Sequence, residues 1–156
     1  MHKMKKYDRI IFVCTGNTCR SPMAATIMNS LKGDRNISVS SRGMVVLFPE
    51  PYNPKAIAVL SSHGMIMPNN SSQQLTAQDF DNDTLVLTMD ETQKQKIYSE
   101  FDNAINVYTL NEYVGEDSEG VQDPYGKGIE EYAKCFDGMY KLVKKAADIL
   151  FKEEEE

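Results

Sequence analysis

Residues 10–22 read Ile-Ile-Phe-Val-Cys-Thr-Gly-Asn-Thr-Cys-Arg-Ser-Pro, so that Arg20 follows Cys14 after five intervening residues. A thiol and a guanidinium at the two ends of a short polar loop suit displacement at phosphorus. The nucleophile would be a thiolate, a form favoured by helix N-termini and nearby cations. The loop feeds a helix, so its backbone N–H groups converge on one point. There they favour first the thiolate and then the phosphoryl oxygens. On this reading Thr15, Gly16, Asn17, Thr18, Cys19, Arg20 and Ser21 cradle the phosphate beside Cys14. Gly16 permits close backbone approach. Asn17 tolerates a left-handed conformation, and its side chain ties the loop together. Arg20 offers a planar fork to two equatorial oxygens, and the Ser21 hydroxyl is placed to donate to the Cys14 sulfur. Cys-x5-Arg alone is a weak pattern. Its specificity here comes from its position between an apolar run and a helix.

That position depends on the elements around it. Ile10–Cys14 is a continuous apolar run, as in a strand buried on both faces. Pro22 to Leu31 is expected to be helical, with Met23, Ile27, Met28 and Leu31 at helical spacing and a proline near the start. Ile37–Ser41 alternates like a strand, and Gly43–Tyr52 is a loop. Asn53-Pro54 reads as an N-cap and first helical residue, opening a helix that runs to His63 and stops at Gly64. Thr84–Thr88 is a second buried strand, Glu91–Phe101 a helix and Ile105–Leu110 a fourth strand. A polar loop over Glu112–Tyr125 follows. Ile129–Phe151 is a long amphipathic helix with Tyr132, Cys135, Phe136, Met139, Leu142, Val143, Ala146 and Leu150 on one face. The alternation predicts an α/β three-layer sandwich, a mainly parallel sheet covered by helices on both faces. In such sheets ligands bind beyond the carboxyl ends of the strands, where Cys14 lies.

With 156 residues, the chain is expected to form a single domain over 1–156. A net charge of −6 argues against nucleic acid as a partner. Three cysteines form no disulfide framework and suggest a reducing cytoplasm. The apolar runs are too short to span a bilayer, and the basic start lacks the pattern of a secretory signal. His2 is expected to be disordered. The acidic tail through Glu156 opposes the helix dipole and is expected to fray. His63 suits a C-terminal capping cation, and Cys135 the core.

A phosphoryl transfer also needs a proton for its leaving group. Asp123-Pro124-Tyr125-Gly126 precedes the last helix. Pro124 restricts the backbone of Asp123, which fixes how the carboxyl projects, and Tyr125 is placed to wall the cleft. An Asp-Pro pair also opens ordinary turns; paired with the Cys14 loop, Asp123 becomes the candidate acid. No Gly-x4-Gly-Lys-Ser/Thr is present. The cysteines and histidines lack zinc-ligand spacing, so neither metal nor cofactor is expected.

Together these residues resemble the low-molecular-weight protein tyrosine phosphatase family, nearest its bacterial protein-arginine phosphatase branch. The likeness runs from Val13–Pro22 through Ser41, His63-Gly64 and Thr88-Met89-Asp90 to Asp123-Pro124. It implies a four-stranded parallel sheet, Cys14 as nucleophile, Arg20 as phosphate clamp and Asp123 as general acid. It further implies that Asn17 and Ser41 brace the loop from behind, and that Cys19 forms a reversible disulfide with Cys14. Two positions depart from the pattern. Asn70 stands where a loop histidine is common, and Arg42 replaces a small residue. Tyrosine-type members carry Ile or Leu where this chain has Thr18, whereas the arginine phosphatases carry Thr. The latter also resemble Val107–Val114 and Asp123–Gly126.

The implied reaction is attack of Cys14 on phosphorus, protonation of a phenolate oxygen or guanidine nitrogen by Asp123, and hydrolysis of the phosphocysteine. The substrate would be a phosphorylated protein, carrying phosphotyrosine, phosphoarginine or both, and the enzyme a monomer. Two alternatives remain: a thiol-linked arsenate reductase, for which residues 64–134 supply no shuttle cysteine, and an inactive phospho-binding module.

Overall fold

The computed structural model describes residues 6–68, 70–117 and 120–152; the readings for His2 and for the tail Glu153–Glu156 fall outside them. The elements in chain order are β1 (Arg9–Cys14), α1 (Arg20–Lys32), β2 (Ser38–Gly43), α2 (Pro54–Ser62), β3 (Thr84–Thr88), α3 (Glu91–Glu100), β4 (Val107–Thr109), α4 (Leu110–Tyr113) and α5 (Ile129–Phe151). A single 3-10 turn spans Ala77–Asp79. The four strands form one parallel sheet in the order β2-β1-β3-β4.

The sheet separates two apolar clusters by the period-two rule of strands. Ile10, Phe12 and Cys14 of β1, with Leu85 and Leu87 of β3, join the cluster that includes Met23, Ile27, Met28, Tyr132, Phe136 and Met139. Ile11, Val13, Val86 and Val107 point the other way, to Phe80 and Ile97. Thus α1 and α5 cover one face and α3 the other, the expected three-layer arrangement. Because both faces of β1 and β3 are covered, these strands read as unbroken apolar runs. Each large aliphatic or aromatic side chain so buried contributes roughly 1.5–3 kcal/mol of transfer free energy.

Three expectations need correction. The fourth strand is only Val107–Thr109. Before it, Asn106 adopts a positive φ of 59°, which breaks strand geometry. After it, Thr109 closes a capping box: its Oγ1 accepts the Glu112 N–H and the Glu112 carboxylate accepts the Thr109 N–H. That box turns the start of the expected polar loop into α4. Helix α1 begins at Arg20, two residues before Pro22, so the guanidinium stem sits in the first helical turn. His63 does cap α2, but its ring stacks on Phe136 at 4.1 Å between centroids, so its contact is a ring face.

Candidate active site

Strand β1 ends with Cys14 beneath the loop that enters α1. The Cys14 Sγ receives the backbone N–H of Asn17 at 3.3 Å and of Ser21 at 3.4 Å. Ser21 Oγ lies 3.0 Å from the same sulfur. That hydroxyl already accepts from Asn17 Nδ2 at 2.8 Å. Its single hydrogen is therefore free to point at the sulfur, or at the Arg42 carbonyl 3.3 Å away. Two backbone N–H groups and a hydroxyl thus converge on the sulfur.

Asn17 is fully buried and takes a φ of 57°. Its Nδ2 also donates to Ser41 Oγ at 2.9 Å, and its Oδ1 accepts the Gln73 N–H at 2.8 Å. One side chain thus joins the loop to β2 and to the 70s loop, and Ser41 falls where the family likeness places it. Asn70 is not the partner from that loop; the backbone of Gln73 is. Sequence reading had no signal for this, because any residue except proline has that N–H. Behind the loop Gly43 is sterically required. A Cβ there would stand 2.6 Å from Val46 Cγ2 and 3.0 Å from both Asn17 Cβ and the Gly16 carbonyl carbon. Arg42 is structural: its Nε pairs with Asp79 at 3.5 Å, and Arg9 reaches the same carboxylate at 3.3 Å.

Arg20 is only 6% exposed. Its Nη1 donates to the Val121 carbonyl at 3.0 Å. The guanidinium also lies 3.8 Å from Asp90 and 3.7 Å from Asp123. Cys14, Arg20 and Asp123 are therefore gathered at one end of the sheet. Asp123 keeps a half-exposed side chain and accepts the Tyr125 N–H at 3.1 Å, the geometry of an Asx turn. Tyr125 itself is 76% exposed at the rim. Thr18 holds the chain from the outside, its carbonyl accepting the Asn53 N–H at 2.8 Å. Asn53 in turn donates to Tyr132 Oη of α5 at 3.0 Å.

The three thiols occupy contrasting settings, and all are free. Burial pushes the Cys19 thiol strongly up, and the neighbouring Cys135, Cys14 and Asp123 add to this while Arg20 opposes it. Cys135 is pushed up to about 11, again chiefly by burial. Cys135 packs against the main core cluster, as expected, but at its edge. It is only partly buried and lines a cavity of about 410 Å3, shared with Gln122, Asp123, Lys134 and Met139. Its Sγ faces the Gln122 carbonyl at 3.9 Å. The amphipathic pattern points it inward without showing that the segment around Gln122 and Asp123 crosses that part of α5. Among the described residues no group of three or more His, Cys, Asp or Glu is gathered as a metal site would require.

A parallel α/β sheet with a donor-lined thiol at a strand end, an arginine beside it and a carboxylate opposite defines a cysteine-dependent phosphatase. The comparisons with known proteins make the class specific. Residues 9–156 match the family described as low molecular weight phosphotyrosine protein phosphatase, and the chain belongs to it. It is 36% identical over 137 residues to the low molecular weight protein-tyrosine-phosphatase PtpB of Staphylococcus haemolyticus, covering 88% of this chain and 96% of that one. It is also 36% identical over 147 residues to a protein-arginine-phosphatase of Bacillus subtilis, covering 92% and 97%. Among solved structures, the YwlE arginine phosphatase bearing a phosphorylated active-site serine superposes with a TM-score of 0.86 at 35% identity, covering 94% of this chain and 98% of that one. A low molecular weight protein tyrosine phosphatase from T. tengcongensis gives 0.84 at 32%, covering 90% and 97%. The protein is thus a hydrolase of the cysteine-based phosphatase class. No helix among the described residues is long and apolar enough to cross a membrane.

Proposed function

We propose that this chain hydrolyses phosphorylated protein side chains, with phosphoarginine preferred over phosphotyrosine, and that Cys14, Arg20 and Asp123 carry the reaction. The observation that carries the reading is the convergence of two backbone N–H groups and the Ser21 hydroxyl on Cys14 Sγ. The thiolate attacks phosphorus in line, and the S–P bond forms as the P–N or P–O bond breaks. Asp123 gives its proton to the leaving nitrogen or oxygen. Arg20 and the amides of Thr15 to Ser21 bind the equatorial oxygens, stabilising the charge of the transition state by preorganised donors. Asp123, now a carboxylate, then takes a proton from water, which displaces Cys14 and releases inorganic phosphate.

Preference for phosphoarginine is supported by Thr18 in the phosphate loop and by the Asp90 carboxylate, 3.8 Å from Arg20. A carboxylate suits a substrate whose leaving group is itself a guanidinium. The similarity to an arginine phosphatase equals that to a tyrosine phosphatase, so the preference rests on these residues. Three unpaired thiols suit a reducing cytoplasm, and the enzyme is read as a monomer. Under peroxide, Cys14 is oxidised to the sulfenic acid while peroxide is reduced to water. The Cys19 thiol then displaces water from it, leaving a Cys14–Cys19 disulfide that thiols can reduce.

The test compares phosphoarginine and aryl phosphate turnover in the wild type and in Thr18→Ile. The ratio is expected to move roughly tenfold toward the aryl ester, the order of effect of one altered methylene-sized pocket contact. An unmoved ratio removes Thr18 from substrate choice.

A further inference from the structure

Among the described residues the segment that carries Asp123 has no regular structure of its own, yet it meets the cup directly at Arg20 and again across a single turn. That turn is Met89-Asp90, between β3 and α3. The Val121 N–H donates to the Met89 carbonyl at 2.9 Å, and the Val121 carbonyl accepts from Arg20 at 3.0 Å. Immediately before it, Gly120 lies flat against the turn. A Cβ at Gly120 would stand 2.3 Å from the Met89 carbonyl oxygen, 2.7 Å from Asp90 Cβ and 2.8 Å from Asp90 Cα. Two of those three atoms are backbone and the third is fixed to it, so no side-chain rotation relieves the clash.

The other side of the same turn is held by Gln93, which is 4% exposed. Its Oε1 accepts the Met89 N–H at 2.9 Å, and its Nε2 donates to Thr15 Oγ1 at 3.1 Å. Its own N–H donates to Asp90 Oδ1 at 2.9 Å, and Thr88 Oγ1 donates to the Asp90 carbonyl at 2.9 Å. The Met89 residue is therefore bonded to the acid loop through its carbonyl and, through Gln93, to the first residue of the phosphate loop.

We infer that Gly120 and Gln93 are positioning residues that set the distance between the proton donor and the phosphate cup. Gly120 sets how closely the acid loop lies on the turn, and Gln93 fixes that turn to Thr15. The inference rests on the roles proposed above for Cys14, Arg20 and Asp123. It goes further in assigning a function to two residues that touch neither phosphorus nor the leaving group. A shift on the order of 1 Å in a reacting group costs about 10²-fold in rate, so a single methyl wedged under the loop is enough to be measured.

The test is a series of aryl phosphates running from dinitrophenyl phosphate, whose phenolate departs unaided, to phenyl phosphate, which needs a proton. Inhibition by inorganic phosphate reports the cup separately. Gly120→Ala is expected to lose roughly 10–100-fold in kcat/KM on phenyl phosphate and under about threefold on dinitrophenyl phosphate, with phosphate inhibition unchanged. Gln93→Leu is expected to show the same selective loss, and also to weaken phosphate inhibition by about threefold, since Thr15 loses a hydrogen bond. Gly128→Ala, where a Cβ meets nothing within 4 Å, is expected to follow the wild type. A loss in Gly120→Ala that is equal across the series, or absent, overturns the inference. Should that variant not fold, Gln93→Leu reads the same link from its other end, and a flat series there overturns it too. If Asp123→Asn also gives a flat series, Asp123 is not the acid and the proposed mechanism fails first, taking the inference with it.

Discussion

The segments Cys14–Ser21 and Gly120–Gly126 face each other across the cleft and are held in opposite ways. The first is tied from every side: Asn17 alone makes three side-chain hydrogen bonds, Gly43 fits against its back, and Gln93 holds Thr15. The second is secured at its start, by Gly120 and Val121 against the Met89-Asp90 turn and Arg20, and opens toward its tip, with Asp123 half exposed and Tyr125 76% exposed. The contrast matches the two tasks that the proposed mechanism assigns to them. Binding three equatorial oxygens requires donors that do not reorganise as charge develops. Delivering a proton and then accepting one from water requires a carboxyl within reach of both leaving group and solvent. Rigidity is concentrated where charge is stabilised, and access where protons move.

The most drastic way to break this contrast is at the sulfur. Cys14→Ser is expected to reduce turnover to background while inorganic phosphate still protects the protein against thermal unfolding, because the cup survives without the nucleophile. Loss of both together would show the loop to be less preformed than its hydrogen bonds suggest. Asp123→Ala is expected to slow kcat by roughly 10²–10⁴-fold, the range for a positioned acid–base group, with the apparent affinity for phosphate kept. Asn17→Ala tests the rigid half directly. It leaves Ser41 and the Gln73 N–H without their partner and forces alanine into a left-handed backbone. A loss of about 4–5 kcal/mol in urea denaturation is expected, from roughly 1 kcal/mol for each of the three lost hydrogen bonds and about 1–2 kcal/mol for the left-handed residue.

The smallest effect concerns the thiols that lie outside the donor cup. Cys19 and Cys135 both hold their protons more tightly in the fold than in the unfolded chain, chiefly through burial. A raised folded value means stability that is present below the unfolded thiol value, 9.0, and that is lost as pH rises toward about 11 for Cys135. Unfolding free energy is thus expected to decline slightly between those pH values in wild type and less in Cys135→Ala, as followed by denaturant titration at stepped pH. Equal slopes would remove Cys135 from the alkaline limb.

Much of this molecule is legible in its sequence. The strands β1 and β3 are buried on both faces, so their apolar runs could hardly mean anything else, and Asn53-Pro54 marked the start of α2 correctly. Cys14, Arg20, Ser21, Asn17 and Asp123 were singled out by residue type and are brought together by the fold. What the sequence hides is chiefly features without a residue signature. The Gln73 N–H and the Met89 peptide act through backbone groups that every residue carries. Gly120 looked like any loop glycine, because its requirement comes from a turn some thirty residues earlier in the chain. The capping box at Thr109 and Glu112 was written in the sequence, but strand propensity over the preceding residues obscured it.

One hydrogen bond carries a consequence for how the enzyme comes into being. Arg20 and the Val121 carbonyl are 101 positions apart, and β1 completes its pairing only when β3 is in place. A chain emerging from the ribosome therefore presents Cys14 and Arg20 long before Asp123 is made. On the proposed mechanism the proton donor joins the site last, and full activity during synthesis is expected only once the start of α5 has cleared the exit tunnel.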